Sequence, residues 1–200
     1  MKVICFLVLL PVFHFCFAQE KFDAEAVKKF QKDLNTEYAN ADTSPLTAED
    51  LAKFKTLDFY PVNEKAFVVA RFIRTAEEKP FQMKTSTSRR PVYIKYGEAR
   101  FQLDGKEFKL NLYRDIELSK KTEYKNYLFL PFSDLTSGKE SYIGGRYIDL
   151  KIPSGNTIVI DFNQSYNPYC AYNHQYSCPK VPLENDLAVE IKAGVKKFHD

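Results

Sequence analysis

The densest run of chemistry-bearing side chains lies between Asp161 and Pro179, DFNQSYNPYCAYNHQYSCP. It holds Asn163, Asn167, Asn173, His174, Tyr166, Tyr169, Tyr172, Tyr176 and the pair Cys170 and Cys178. Long non-periodic loops in compact domains are usually functional or disordered, and the Tyr and Cys content argues against disorder. Three chemistries compete here. Cys170 and Cys178 form a disulfide around which the aromatics pack. Alternatively they bind a metal with His174, although a Cys-x7-Cys spacing fits no standard zinc knuckle. In the third, Cys170 is a nucleophile with His174 as its base, a pairing that sequence proximity does not secure, because such partners meet in space. An even pair in an oxidising compartment favours the disulfide. No metal or other cofactor is assigned.

A second group precedes it. Gly144-Gly145 permits positive φ and close backbone approach, and Arg146 follows directly. Alternation places Arg146 on an apolar face beside Ile148, where a guanidinium must be paired or sit at a rim. It either grips a ligand carboxylate or phosphate, or clamps Asp134, Glu140 or Glu184. Tyr147–Ile152 and Thr157–Phe162 read as two strands of a hairpin joined by Pro153-Ser154-Gly155-Asn156. For both apolar faces to meet one core, Ile152 must pair with Ile158 and Leu150 with Ile160. That register sets Asp149 opposite Asp161 and Tyr147 opposite Asn163. Facing carboxylates call for a cation between them or for one raised pKa, so a metal site, an acid/base pair and plain neutralisation by Lys151 or Arg146 all remain open. Glu184-Asn185 would stand at the rim. There is no G-x-S-x-G, phosphate loop, H-E-x-x-H or EF-hand pattern.

The elements that position these groups are mostly strands. Phe22, Ala26, Phe30, Leu34 and Tyr38 recur at helical spacing, and Thr47 opens a short second helix through Phe54 with Asp50 completing a capping box. Residues 66–73 and 92–96 are β-branched and aromatic. The strongest local signal is 99–113, two alternating runs around Asp104-Gly105, the pair that favours a type I′ hairpin. Residues 127–132 give another strand, ended by Pro131, and Leu187, Val189 and Ile191 alternate in a last one. The order predicts a mainly β fold, an antiparallel barrel or sandwich with an N-terminal helical segment, with α+β as the alternative class label.

The ends and the charge bound the setting. Lys2 precedes an apolar run from Val3 to Phe17 that closes on Ala18, the pattern of a cleavable export signal. The run is shorter than a membrane span of about 20 residues and contains Pro11 and His14, and no later run is long enough to span. This divides the chain into a signal (1–18), a helical segment (19–55) and a β domain (56–195), with a periplasmic or extracellular destination. Cys5 and Cys16 leave with the signal. The full chain has 29 basic and 26 acidic residues, a balance that gives no footprint for nucleic acid. The cluster from Lys84 to Arg90 reads as a solvated loop.

The chain resembles the bacterial DUF1684 family of unknown function. The resemblance rests on LFLPFSDLTSGKESY from Leu128, GGRYIDL from Gly144, DFNQSYNPYC from Asp161, Cys178-Pro179, Glu184-Asn185 and Ile191-Lys192-Ala193-Gly194. The hairpin at Asp104-Gly105 and Phe59-Tyr60-Pro61 also fit, and Lys180-Val181 departs from the family's more Pro-rich pattern. The likeness spans roughly residues 25 to 195 and implies that the polar loop is a family feature. It carries over no activity.

Together these readings predict a monomeric exported β domain with one site. Its walls are the 144–149 strand and the 161–178 loop. The expected residues are Arg146, Tyr147, Asp149, Asp161, Asn163, Tyr166, Asn167, Cys170, Asn173, His174, Cys178, Glu184 and Asn185. The leading expectation is a small polar or aromatic ligand held by Tyr faces and oriented by Asn, Arg and Asp. A hydrolase using Asp149 or Asp161, and a cell-envelope assembly protein meeting a partner through the Tyr-rich loop, are the alternatives.

Overall fold

Alternation of large apolar and polar side chains builds one antiparallel sheet, and the computed structural model describes it within residues 20–199. The expected signal at 1–18 lies outside the described residues. Two helices come first, α1 (Ala24–Ala39) and α2 (Ala48–Lys53). Asp23 caps α1 by accepting from the Glu25 and Ala26 amides. Thr47 caps α2 by accepting from the Asp50 amide, and its hydroxyl donates to the Asp50 carboxylate, so the expected capping box keeps its N-cap bond while Asp50 takes the hydroxyl in place of the Thr47 amide. No described helix is long and apolar enough to cross a membrane.

The strands are β1 (Phe67–Arg74), β2 (Phe81–Gln82), β3 (Val92–Leu103), β4 (Lys106–Asp115), β5 (Tyr127–Asp134), β6 (Arg146–Lys151), β7 (Thr157–Asp161) and β8 (Asp186–Leu187). Their order is β6-β5-β4-β3-β1-β7, with β2 added to β3 and β8 added parallel to β5. The sheet curls into a half-barrel. β3 and β4 form the hairpin the sequence announces: Leu103 pairs with Lys106 across Asp104-Gly105, and both turn residues have positive φ, 49° and 75°.

The concave face holds the main core, including Phe101, Leu110, Leu112, Leu128, Leu130, Phe132, Ile148, Ile160 and Phe162. Ile148, Ile158 and Ile160 do share that core. They reach it differently from the expected hairpin, however. β6 pairs with β5 and β7 pairs with β1, so the two strands occupy opposite ends of the sheet. Alternation fixed the face of each strand, and curling of the sheet brought both faces to one core without a shared ladder.

Pro131 does not end its strand, which continues to Asp134 with Pro131 opposite Tyr147. Asn185 explains how the sheet tolerates this. Its side chain accepts from the Asn111 amide at 2.8 Å and donates to Asn111 O at 2.9 Å and to Pro131 O at 2.7 Å. One buried amide therefore supplies the paired bonds that a neighbouring strand would have made. The expected last strand is short: β8 covers only Asp186–Leu187, while Leu187 and Ile191 still reach the core.

Candidate functional site

β5 is apolar on both faces, so its convex side must also be covered. Phe129 stands there beside Tyr113 of β4 and Asp149 of β6, which pair with it directly. Tyr93 of β3 and Tyr147 of β6 join Phe129, with ring centroids 5.9 and 4.7 Å away. Met83, Tyr93, Tyr113, Phe129 and Tyr147 make a second, smaller buried cluster on this side.

The loop after β7 closes over it. Tyr166 forms an isolated bridge with Tyr147, exchanging backbone bonds of 2.8 and 3.0 Å along the free edge of β6. This places the Tyr166 hydroxyl 2.7 Å from Asp149 Oδ1, and the Tyr127 hydroxyl donates to the same oxygen at 2.7 Å. Asp149 Oδ2 has no hydrogen bond among the described residues. From the other side, α1 brings Glu37, whose Oε1 accepts from the Tyr169 hydroxyl at 2.7 Å. The Tyr147 hydroxyl donates to Pro179 O. The space enclosed is a cleft of about 420 Å³ lined by rings from α1, β3, β5, β6 and the 166–179 loop, with Asp149 and Glu37 as its charged groups.

The electrostatics follow from this geometry. Burial first, and then the charge of Asp149, raise the Tyr127 and Tyr166 hydroxyls well above the ordinary tyrosine value. Burial, and then the hydrogen bond to Glu37, raise Tyr169. These phenols are therefore neutral donors at physiological pH.

The thirteen expected residues divide into distinct roles. Tyr147, Asp149, Tyr166 and Cys178 line the cleft. Cys170, Asn173 and His174 line a neighbouring hollow of about 620 Å³. Glu184 is solvent-exposed. Arg146, Asp161, Asn163, Asn167 and Asn185 are buried and hold backbone. Arg146, fully buried, donates to the carbonyls of Ile191, Ala193 and Val195 and lies 3.5 Å from Asp134. Asp161 accepts from the Asn163 amide and side chain and from Gln164. It does not face Asp149. Asp161 pairs with Phe67 of β1 and Asp149 with Phe129 of β5, so the carboxylate pair inferred from the hairpin is absent. Asn163 clasps Asn63 through its backbone amide and carbonyl, and Asn167 donates to Lys196 O.

The expected disulfide is not formed. Cys170 and Cys178 are free, buried thiols, and Cys178 Sγ accepts from the Cys170 amide at 3.2 Å. A hydrogen bond from Cys178 outweighs burial and lowers the Cys170 thiol to about 6, with Ser86 and Tyr142 adding to the effect. The same contact, together with burial, raises Cys178. No group of three His, Cys, Asp or Glu among the described residues is arranged to hold a metal ion.

Sequence reasoning missed Glu37, Tyr38, Tyr93, Tyr127, Phe129 and Pro179 as cleft residues. The unbroken apolar run from Leu128 to Phe132 was the available signal, because a strand apolar on both faces needs covering on both.

No curated protein matches the chain. Among solved structures, it is similar to the solution NMR structure of an uncharacterised protein from Haloarcula marismortui. The two are 29% identical with a TM-score of 0.67, and the match covers 86% of this chain and 92% of that one. Residues 52–196 match a family described as protein of unknown function, and that stretch contains every strand of the sheet and the whole 161–179 loop, so the chain belongs to the DUF1684 family.

Proposed function

We propose that the protein is exported and works as a monomer that binds a small molecule with aromatic or polar character in the tyrosine-walled cleft over β5 and β6. The observation carrying this reading is the double donation of Tyr127 and Tyr166 to one oxygen of Asp149 at the wall of a 420 Å³ cleft. Ligand sites are typically concave, mainly apolar, and fitted with a few convergent polar groups. A hollow of about 670 Å³ over Phe67, Arg71, Arg100 and Asp104 is larger, but most of its lining side chains are solvent-exposed and it gathers no aromatic wall. Export is supported by the Lys2–Ala18 pattern.

The test is a panel of sugars, nucleotides, amino acids and amines, screened by thermal shift and mapped by NMR on tyrosine resonances. Binders should raise Tm and perturb Tyr127, Tyr147 and Tyr166, and Tyr166→Ala should remove the effect. A panel with no binder, or binders that perturb only residues away from the cleft, would sink the reading.

A further inference from the structure

We infer that the occupant of this cleft is an organic cation, an alkylated ammonium seated against tyrosine rings beside Asp149 and Glu37; the inference rests on the cleft being the binding site. Three features of the wall select that charge and that chemistry.

The first is charge. Both ionisable acids of the wall, Asp149 and Glu37, carry unbridged carboxylates among the described residues, and the described lining contains no Lys, Arg or His. This occurs in a chain whose formal net charge is +3. Arg89, whose charge reaches Tyr93 and Cys178, is engaged elsewhere: it donates to Ser177 O at 2.8 Å and to Ser177 Oγ at 3.1 Å.

The second is donor supply. An anion needs hydrogen-bond donors, and four of the six phenols of this wall already have acceptors, while the unpartnered Tyr38 hydroxyl is itself buried. Tyr127 and Tyr166 donate to Asp149, Tyr169 to Glu37 and Tyr147 to Pro179 O. The two carboxylates keep acceptor capacity in reserve, since Asp149 Oδ2 and Glu37 Oε2 have no hydrogen-bond partner among the described residues.

The third is the rings. Tyr147 stands at 89° to Tyr166 and at 77° to Phe129, and Tyr38 at 72° to Tyr169. The lining as a whole presents six tyrosine and two phenylalanine rings to the space between them. Exposed aromatic faces carry the negative lobe of the quadrupole and attract a cation within about 6 Å. A carbon-substituted ammonium is weakly hydrated and loses little on entering such walls. Raised tyrosine values keep the phenols from ionising, so the wall retains this character across the physiological range. Glu37 and Tyr38 belong to α1, which precedes the family-matched residues 52–196, so half of this charge is supplied by the chain's own N-terminal helix.

Choline and its neutral carbon isostere, dimethylbutanol, separate charge from shape. With 13 tyrosines and no tryptophan, tyrosine fluorescence reports binding directly. Choline should saturate the signal and shift the Tyr127 and Tyr166 resonances, and the isostere should bind at least tenfold more weakly. Asp149→Asn and Glu37→Gln should each weaken choline severalfold and weaken the isostere by a clearly smaller factor. Equal affinity for the isostere, or choline binding untouched by both variants, would overturn the cation inference. So would panel ligands that shift the cleft tyrosines while choline does not, and in that case the cleft would remain a binding site for another class. A cleft silent to every compound would end both readings.

Discussion

Arg146 and Asp134 lie 3.5 Å apart, both with side chains wholly excluded from solvent. Nη1 and Nη2 of Arg146 also reach carbonyls of the 191–195 segment, so the pair fastens β5, β6 and the C-terminal strap at one point, with Nε left unpartnered. Burial lowers the guanidinium's affinity for its proton, and Asp134 offsets only part of that. Removing one partner strands a buried charge, which costs about 3–5 kcal/mol. Arg146→Ala and Asp134→Asn should each lose that much in urea unfolding. Arg146→Lys should recover little, because an ammonium cannot span the same set of carbonyls. A loss below about 1 kcal/mol for both partners would refute a joint role.

Asn185 should behave as part of the backbone. Asn185→Ala leaves the Asn111 amide and the Asn111 and Pro131 carbonyls unanswered in a buried site. A loss of at least about 2 kcal/mol is expected. Amide exchange at Asn111 should accelerate more than at the Phe101–Phe108 pair of the same sheet. Uniform acceleration would mean that Asn185 only supports global stability.

The cleft tyrosines carry a pH signature. Tyr127 and Tyr166 are raised in the folded state, first by burial and then by Asp149, whereas in the unfolded chain they titrate near the ordinary tyrosine value of about 10. Their contribution is fully present below pH 10 and is lost as pH rises from there toward the folded values. Alkaline absorbance titration should show phenols that ionise only together with unfolding. In Asp149→Asn these phenols should titrate at lower pH than in the native chain. Identical titration would remove Asp149 as a cause.

Cys170 should react as an activated thiol. With its value lowered to about 6 by the hydrogen bond from Cys178, its alkylation rate should level off near neutrality, whereas an ordinary thiol keeps gaining rate up to about pH 9. Cys178→Ala should move the profile upward. Protein purified without reductant should take up iodoacetamide, and an intact mass two hydrogens light with no alkylation would restore the disulfide.

Much of the fold could be read directly. The β3–β4 hairpin rests on local information, alternating runs on either side of a turn pair that accepts positive φ. The Thr47 N-cap is equally local. The partnerships of β6 and β7 were not legible, because alternation says which face is buried and nothing about which strand lies alongside. The polar crowd at 161–179 was visible as a feature, but its division of labour was not. A loop packed against a core must satisfy its buried backbone, and Asn163, Asn167 and Asp161 serve that need. The cleft partners were scattered: Tyr127 precedes Asp149 by 22 residues, and Glu37 precedes Tyr169 by 132. No spacing rule joins residues so far apart.

The strap that answers Arg146 also sets an order of events. Synthesis proceeds from the N-terminus, and Arg146 emerges 45 to 49 residues before the carbonyls it requires. Until those arrive, β5 and β6 can close only over an unsatisfied guanidinium, so the half-barrel stays open at that edge. A nascent chain halted before residue 191 would thus display its apolar inner face to chaperones and proteases, and the emergence of residues 191–195 becomes the step that conceals it.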